Sequence, residues 1–139
     1  LRLEIESIRD YLAIFAVRFG ERLRVEVECN EEALGCRVPF MILQPLVENS
    51  VIHGLEPSPH PMLIRVSGIK KRGRLMLEVR DDGPGFDPDE TSYGKGFYAV
   101  TERLRQFYED RASLVLESRP GGGADARLEW PCERGMGNR

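Results

Sequence analysis

At 139 residues, with 41% hydrophobic and 31% charged side chains, the chain suits one domain around one core and has the balance of a soluble globular protein. A formal charge of −3 argues against a general nucleic-acid binder, no apolar run approaches the roughly 20 residues of a membrane span, and the charged first stretch does not read as a signal peptide. Cys29, Cys36 and Cys132 are odd in number and form no CxxC pair, which predicts a reduced, cytosolic setting rather than a disulfide framework or a zinc site.

Ile5, Ile8, Leu12, Phe15 and Phe19 recur every three or four residues, the stripe of an amphipathic helix, and Gly20 is a stop signal. Leu23, Val25, Val27 and Cys29 then alternate with Arg24, Glu26 and Glu28, as in a half-buried strand, and a polar turn at Asn30-Glu31-Glu32 follows. Residues 40–53 are apolar on most sides and predict a helix on a sheet; Pro45 either kinks it or marks where its regular part starts. Residues 56–61, with three prolines, predict a loop. Residues 62–69 and 75–80 predict a hairpin turning at 70–74, with Lys70-Lys71-Arg72 as a solvated tip.

Periodicity stops in the glycine-rich stretch 81–96 and returns as a helix at Phe97, Val100, Leu104 and Phe107. Residues 114–117 and 126–130 predict the last strands, joined around Gly121-Gly122-Gly123. About five strands and three helices predict an α+β fold, a two-layer α/β sandwich. Its sheet would be mixed and mostly antiparallel, with the helices on one face. Residues 1–131 are expected to form a single domain, and 132–139 a flexible tail.

Three segments carry candidate chemistry: Leu43-Gln44-Pro45-Leu46-Val47-Glu48-Asn49-Ser50-Val51-Ile52-His53-Gly54, then Asp81-Asp82-Gly83-Pro84-Gly85-Phe86, then Gly94-Lys95-Gly96-Phe97. An Asn oxygen on a helix suits magnesium, which prefers hard oxygen ligands beside phosphates, so Asn49 is the candidate. His53, four residues on, would share its face and reach a phosphate oxygen. On spacing alone both also read as ordinary helix-surface polar residues. Asp81, between a strand and a Gly-x-Gly turn, can accept a hydrogen bond from an exocyclic amine such as that of adenine; alone, it also reads as a common Asp-Gly turn. Gly83 and Gly85 allow positive φ or close backbone approach. Gly94 and Gly96 open a helix whose amides, with Lys95, suit phosphate, and residues 87–93 read as a lid or simply as a flexible loop. Tyr93 and Phe97 are candidate walls for a base.

Together these segments resemble the GHKL superfamily of ATP-binding domains, most closely the LytS-type sensor histidine kinases. The N box of that family differs from residues 43–54 mainly by Ala where this chain has Ser50. Tyr11-Leu12, Arg18-Phe19, Pro39 and Arg103-Leu104 also fit its pattern, so the resemblance covers nearly the whole chain. It implies a Bergerat-type fold, with ATP and Mg²⁺ as cofactors. It makes Asn49 the Mg ligand, Asp81 the adenine reader, Gly83 and Gly85 the first glycine box, and Gly94 and Gly96 the second. His53 becomes a phosphate-side residue, and Glu48 an acidic group that orients water or the attacking group.

The hydrolytic Glu of gyrase-like ATPases, one turn before the Asn, is Pro45 here, which argues against rapid hydrolysis. Three positions depart from the family: Phe97 and Ala99 replace Leu and Asn, and Gly123-Ala124 replaces Gly-Thr. The last change removes a hydroxyl that supports the adenine-reading Asp, so a water is expected in its place. The phosphoacceptor segment is absent, and neither His53 nor His60 lies in its context.

The function implied is the catalytic domain of a two-component kinase. It would supply the γ-phosphate to a histidine on a dimerisation domain outside this chain, not autophosphorylate alone, and act upstream of a response regulator. It would bind ATP and ADP, make no direct membrane contact, and be cytoplasmic within a membrane-anchored sensor. The alternatives are a degenerate nucleotide-binding or protein-interaction module and an anti-sigma-type serine kinase.

Overall fold

The computed structural model describes residues 1–56, 58–85, 94–118 and 122–132. Helix α1 spans Arg2–Phe19 and buries Ile5, Ile8 and Leu12, as its spacing requires. Strand β1 (Leu23–Cys29) follows after one 3₁₀ turn. The predicted polar turn is instead a short helix, α2 (Glu31–Leu34). Asn30 caps it, with Oδ1 accepting from the Ala33 amide at 2.8 Å, which is why a run of acidic residues can start a helix here.

Helix α3 (Gln44–Ser50) carries Pro45 in its first turn rather than kinking there, because a first-turn proline has no hydrogen bond to lose. It runs into a single π turn, Val51–Leu55, closed by the Glu56 amide on the Val51 carbonyl at 3.0 Å. Strands β2 (Met62–Lys71) and β3 (Arg74–Asp81) form the predicted hairpin. Arg72 and Gly73 have φ of 54° and 73°, the two-residue turn whose twist matches the strands. Helix α4 (Gly94–Tyr108) and strands β4 (Ser113–Ser118) and β5 (Ala124–Pro131) complete the fold.

The sheet order is β1-β2-β3-β5-β4. Only the β1–β2 pair is parallel, so its connection must cross over, and that crossover carries α2 and α3. The mixed two-layer architecture is the expected one. Ile64, Val66, Leu75, Leu77, Val79, Ala126, Leu128 and Trp130 alternate onto the inner face, where they join apolar residues of α1, α3 and α4 in one core. Ile69, Met76 and Val115 lie on the other face, partly exposed.

The cysteine expectation is overturned. Cys36 and Cys132, separated by 96 residues, are joined in a disulfide, and only Cys29 is a free thiol. Local spacing carries no signal for a pair that meets only when the loop after α2 reaches the end of β5. Cys132, placed in the tail by sequence, is buried, and its amide donates to the Gly73 carbonyl at 2.8 Å. Reduction of this bond is expected to lower unfolding stability by about 2–4 kcal/mol. Denaturant titration with and without reductant measures this, and coincident curves would show that the crosslink is unimportant to stability.

Candidate functional site

Helix α3 holds the densest group of predicted site residues. Its start is set by Glu4 of α1, a buried carboxylate whose Oε1 accepts from the Leu43 amide at 2.9 Å and the Gln44 amide at 3.3 Å. A negative group here satisfies amides with no intrahelical partner and suits the positive end of the helix. Glu4→Ala is expected to cost about 1–3 kcal/mol by orphaning buried donors. Unchanged urea unfolding of that variant would remove Glu4 from the site's support. Its sequence signal was an acid placed one residue before Ile5 of the buried stripe.

Asn49 is 8% exposed, and its Nδ2 has no hydrogen-bond partner among the described residues. A Cβ built on Gly96 would lie 3.1 Å from that Nδ2 and 3.4 Å from Oδ1, so the first turn of α4 passes directly over the amide. Buried side-chain polar atoms are ordinarily paired, and an unpaired one points to a ligand. The unpaired Nδ2 is a donor and suits a phosphate oxygen, while Oδ1, a neutral hard oxygen beside a helix start, fits Mg²⁺. Glu48, half-buried, sits one residue before. Gln44 Nε2 donates to its Oε1 at 3.3 Å, and Gln44 Oε1 accepts from Ser7 Oγ at 3.5 Å, so α1 and α3 together orient Glu48. His53 lies in the π turn that continues α3, four residues after Asn49.

Asp81 ends β3 and is 7% exposed. Ser50 Oγ donates to its Oδ2 at 2.8 Å, and the Gly83 amide donates to its Oδ1 at 3.0 Å. Burial pushes the Asp81 carboxyl above its usual range; the Ser50 hydroxyl and the Gly83 and Ala124 backbones oppose this. The hydroxyl missing at Ala124 is therefore supplied directly by Ser50, and the expected water is not needed for that bond.

Gly54 and Gly83 are packed against the Met62 thioether. A Cβ on Gly54 would meet Met62 Sδ at 2.6 Å, and one on Gly83 would meet it at 2.8 Å and Asp81 Oδ1 at 3.1 Å. Gly83 thus serves close approach, whereas Gly85, at φ 72°, serves the left-handed backbone.

Gly94, Lys95 and Gly96 form the first turn of α4. Phe97 is half-buried, and its carbonyl accepts from Thr101 Oγ at 2.9 Å. Further along α4, Arg103 Nη1 donates to the carbonyls of Phe40 and Met41, tying the helix to the turn that precedes α3. Tyr93, Phe86 and the candidate lid at 87–93 lie outside the described residues. The structure thus pairs Asn49 with Gly96 and gathers Asp81, Gly83 and Gly54 over Met62. Spacing gave no cue to Ser50 as a partner of Asp81, or to Met62 beneath two glycines.

The family model described as "Histidine kinase-, DNA gyrase B-, and HSP90-like ATPase" matches residues 36–134. This chain belongs to that family. The expectation of an ATP-binding domain of the sensor histidine kinase type therefore holds. Among curated relatives, the sensor histidine kinase YesM of Bacillus subtilis is 32% identical over 133 residues, covering 93% of this chain and 23% of its own length. The sensor protein LytS of Oceanobacillus iheyensis is 31% identical over 136 residues, covering 88% of this chain and 23% of its own. This ATPase-family chain thus spans about a quarter of the length of either relative. Among solved structures, the catalytic domain of histidine kinase ThkA superposes with a TM-score of 0.70 at 15% identity, covering 96% of this chain and 94% of that one, a likeness of fold.

Proposed function

We propose that this chain delivers the γ-phosphate of Mg-ATP to a histidine on a dimerisation domain outside it, from which a response regulator takes the phosphate. The observation that carries the reading is the buried, unpartnered Asn49 amide against Gly96, with an anchored Asp81 carboxylate gathered by the same helix. Asp81 accepts from the adenine N6 amine, within walls that include Tyr93 and Phe97. Gly83 and Gly85 let the backbone approach the nucleotide. The amides of Gly94 and Gly96, with Lys95 and His53, hold the phosphates.

Asn49 holds the metal, and Mg²⁺ when bound offsets the phosphate charge. Glu48, fixed by Gln44, orients the attacking imidazole. Catalysis is then mainly positioning and charge neutralisation. Pro45, where related ATPases place a proton-accepting Glu, cannot take a proton from water, which favours transfer to histidine over hydrolysis.

The domain would work on the cytoplasmic side of a membrane-anchored sensor, where ATP is available. No helix among the described residues is long and apolar enough to cross a membrane. The Cys36–Cys132 bond would be under reducing pressure there, and alkylation of cell extracts reads its state. Calorimetric titration with ADP and a non-hydrolysable ATP analogue, with and without Mg²⁺, tests the reading. Micromolar, Mg-dependent binding is expected. No binding up to millimolar nucleotide would leave a degenerate interaction module as the better account.

A further inference from the structure

We propose that Ser50 is the positioning residue of the base subsite: its hydroxyl, presented by α3, fixes the Asp81 carboxylate in the orientation that selects a 6-amino over a 6-oxo purine. The inference rests on Asp81 as the base reader. Its geometric ground is a pair of bonds to different oxygens of one carboxylate. Oδ2 accepts from Ser50 Oγ at 2.8 Å and Oδ1 from the Gly83 amide at 3.0 Å. Two donors on two oxygens fix the carboxylate plane as well as its position. Both Ser50 and Asp81 are buried, at 4% and 7% exposed, so solvent does not compete for the hydroxyl.

Strand β5 offers the other place from which a hydroxyl could do this. Ala124 is the register partner of Asp81 in the β3–β5 ladder, and directly opposed residues have Cβ atoms about 5 Å apart. Its methyl donates nothing. The supporting hydroxyl has thus been moved from strand to helix, onto the residue that follows Asn49. The Ser50–Asp81 bond consequently ties base recognition to the helix that carries Glu48 and Asn49.

The chemistry follows from what each form of the carboxyl presents. A carboxylate receiving Ser50 and Gly83 is an acceptor only, and it matches an amine at purine C6. A carboxyl that has taken up a proton presents a donor, which matches a carbonyl at C6. Ser50 opposes the second state, because a hydrogen bond donated to the charged form favours that form. Removing the hydroxyl should therefore change discrimination between bases, and not only affinity.

Calorimetric titration of the 139-residue chain with ADP, IDP and tripolyphosphate decides it. Ser50→Ala is expected to lose about tenfold in ADP affinity, with IDP and tripolyphosphate little changed, so that the ADP-to-IDP ratio falls by about the same factor. Adding Ala124→Thr to Ser50→Ala should restore most of that ratio, because the hydroxyl returns from the strand side; a general packing role for Ser50 predicts no such rescue. Ser50→Cys keeps the volume with a weak donor, and it should show the same fall in the ADP-to-IDP ratio, which serves as the test where the alanine variant does not fold.

An unchanged ADP-to-IDP ratio in folded Ser50→Ala or Ser50→Cys overturns the proposal, as does equal weakening of all three ligands. Asp81→Asn separates the two levels. If it too leaves the ratio unchanged, the base-reading role of Asp81 is lost. If it collapses the ratio while the Ser50 variants do not, only the role of Ser50 is lost.

Discussion

Asn49→Ala is expected to abolish Mg-dependent nucleotide binding while leaving the nucleotide-free domain as stable as before, or slightly more so. The two halves have one cause. The Asn49 amide is buried and its Nδ2 has no partner, so the ligand-free fold carries an unsatisfied polar group that alanine, the best helix former, removes. The gain would be on the order of 1 kcal/mol. The loss is larger. Changing a residue that merely supports a metal ligand typically costs 10–100-fold, so deleting the ligand itself should cost about a hundredfold or more in Mg-nucleotide affinity. Calorimetry with and without Mg²⁺, beside a thermal melt of the apo domain, measures both. Unchanged Mg-ATP affinity in the variant would remove Asn49 as the metal ligand. A large drop in melting temperature would make it a structural residue.

The second large effect is expected at Gly123, which lies next to the site without supplying a side chain to it. Its φ is 81°, and a Cβ built there would sit 2.3 Å from the Asp81 carbonyl oxygen. Neither obstacle is the flexible end of a side chain, so the backbone of β3 or of the turn must move. Gly123→Ala is therefore expected to cost about 3 kcal/mol, combining a strained left-handed residue with a backbone clash. For a domain of this size, that lowers the melting temperature by about 10 °C. The displaced atom belongs to Asp81, so adenine affinity should fall more than tripolyphosphate affinity in whatever fraction remains folded. A melt within about 2 °C of the parent would mean that the turn relaxes freely.

The departures at Phe97, Ala99 and Ala124 were what motivated a degenerate module. Ala124 no longer supports it, because Ser50 makes the bond that a strand hydroxyl would have made. Phe97 is half-buried at the start of α4, and Ala99 is exposed; neither displaces Asn49 or Asp81 from its burial.

Much of the fold was legible because its signals are local. The α1 stripe, the alternation in β1, the turn at Arg72-Gly73 and the first-turn Pro45 each act over one or two turns of chain. The fragments Gln-Pro-Leu-Val-Glu-Asn and Asp-x-Gly-x-Gly likewise named Asn49 and Asp81 as candidates from residue types and short spacings. By itself the sequence determined the elements other than α2, their order, and which polar residues interrupt apolar faces, since periodicity and backbone chemistry operate within a few residues.

Tertiary structure alone decided what those residues meet. Glu4 caps α3 across 39 residues, Ser50 reaches Asp81 across 31, and Cys36 meets Cys132 across 96. The π turn that ends α3, too, appears where a regular helix was expected. Such contacts are set by how α3 is laid across the sheet between two parallel strands. No local pattern encodes that placement, because its energy comes from burying one core shared by elements distant in the chain.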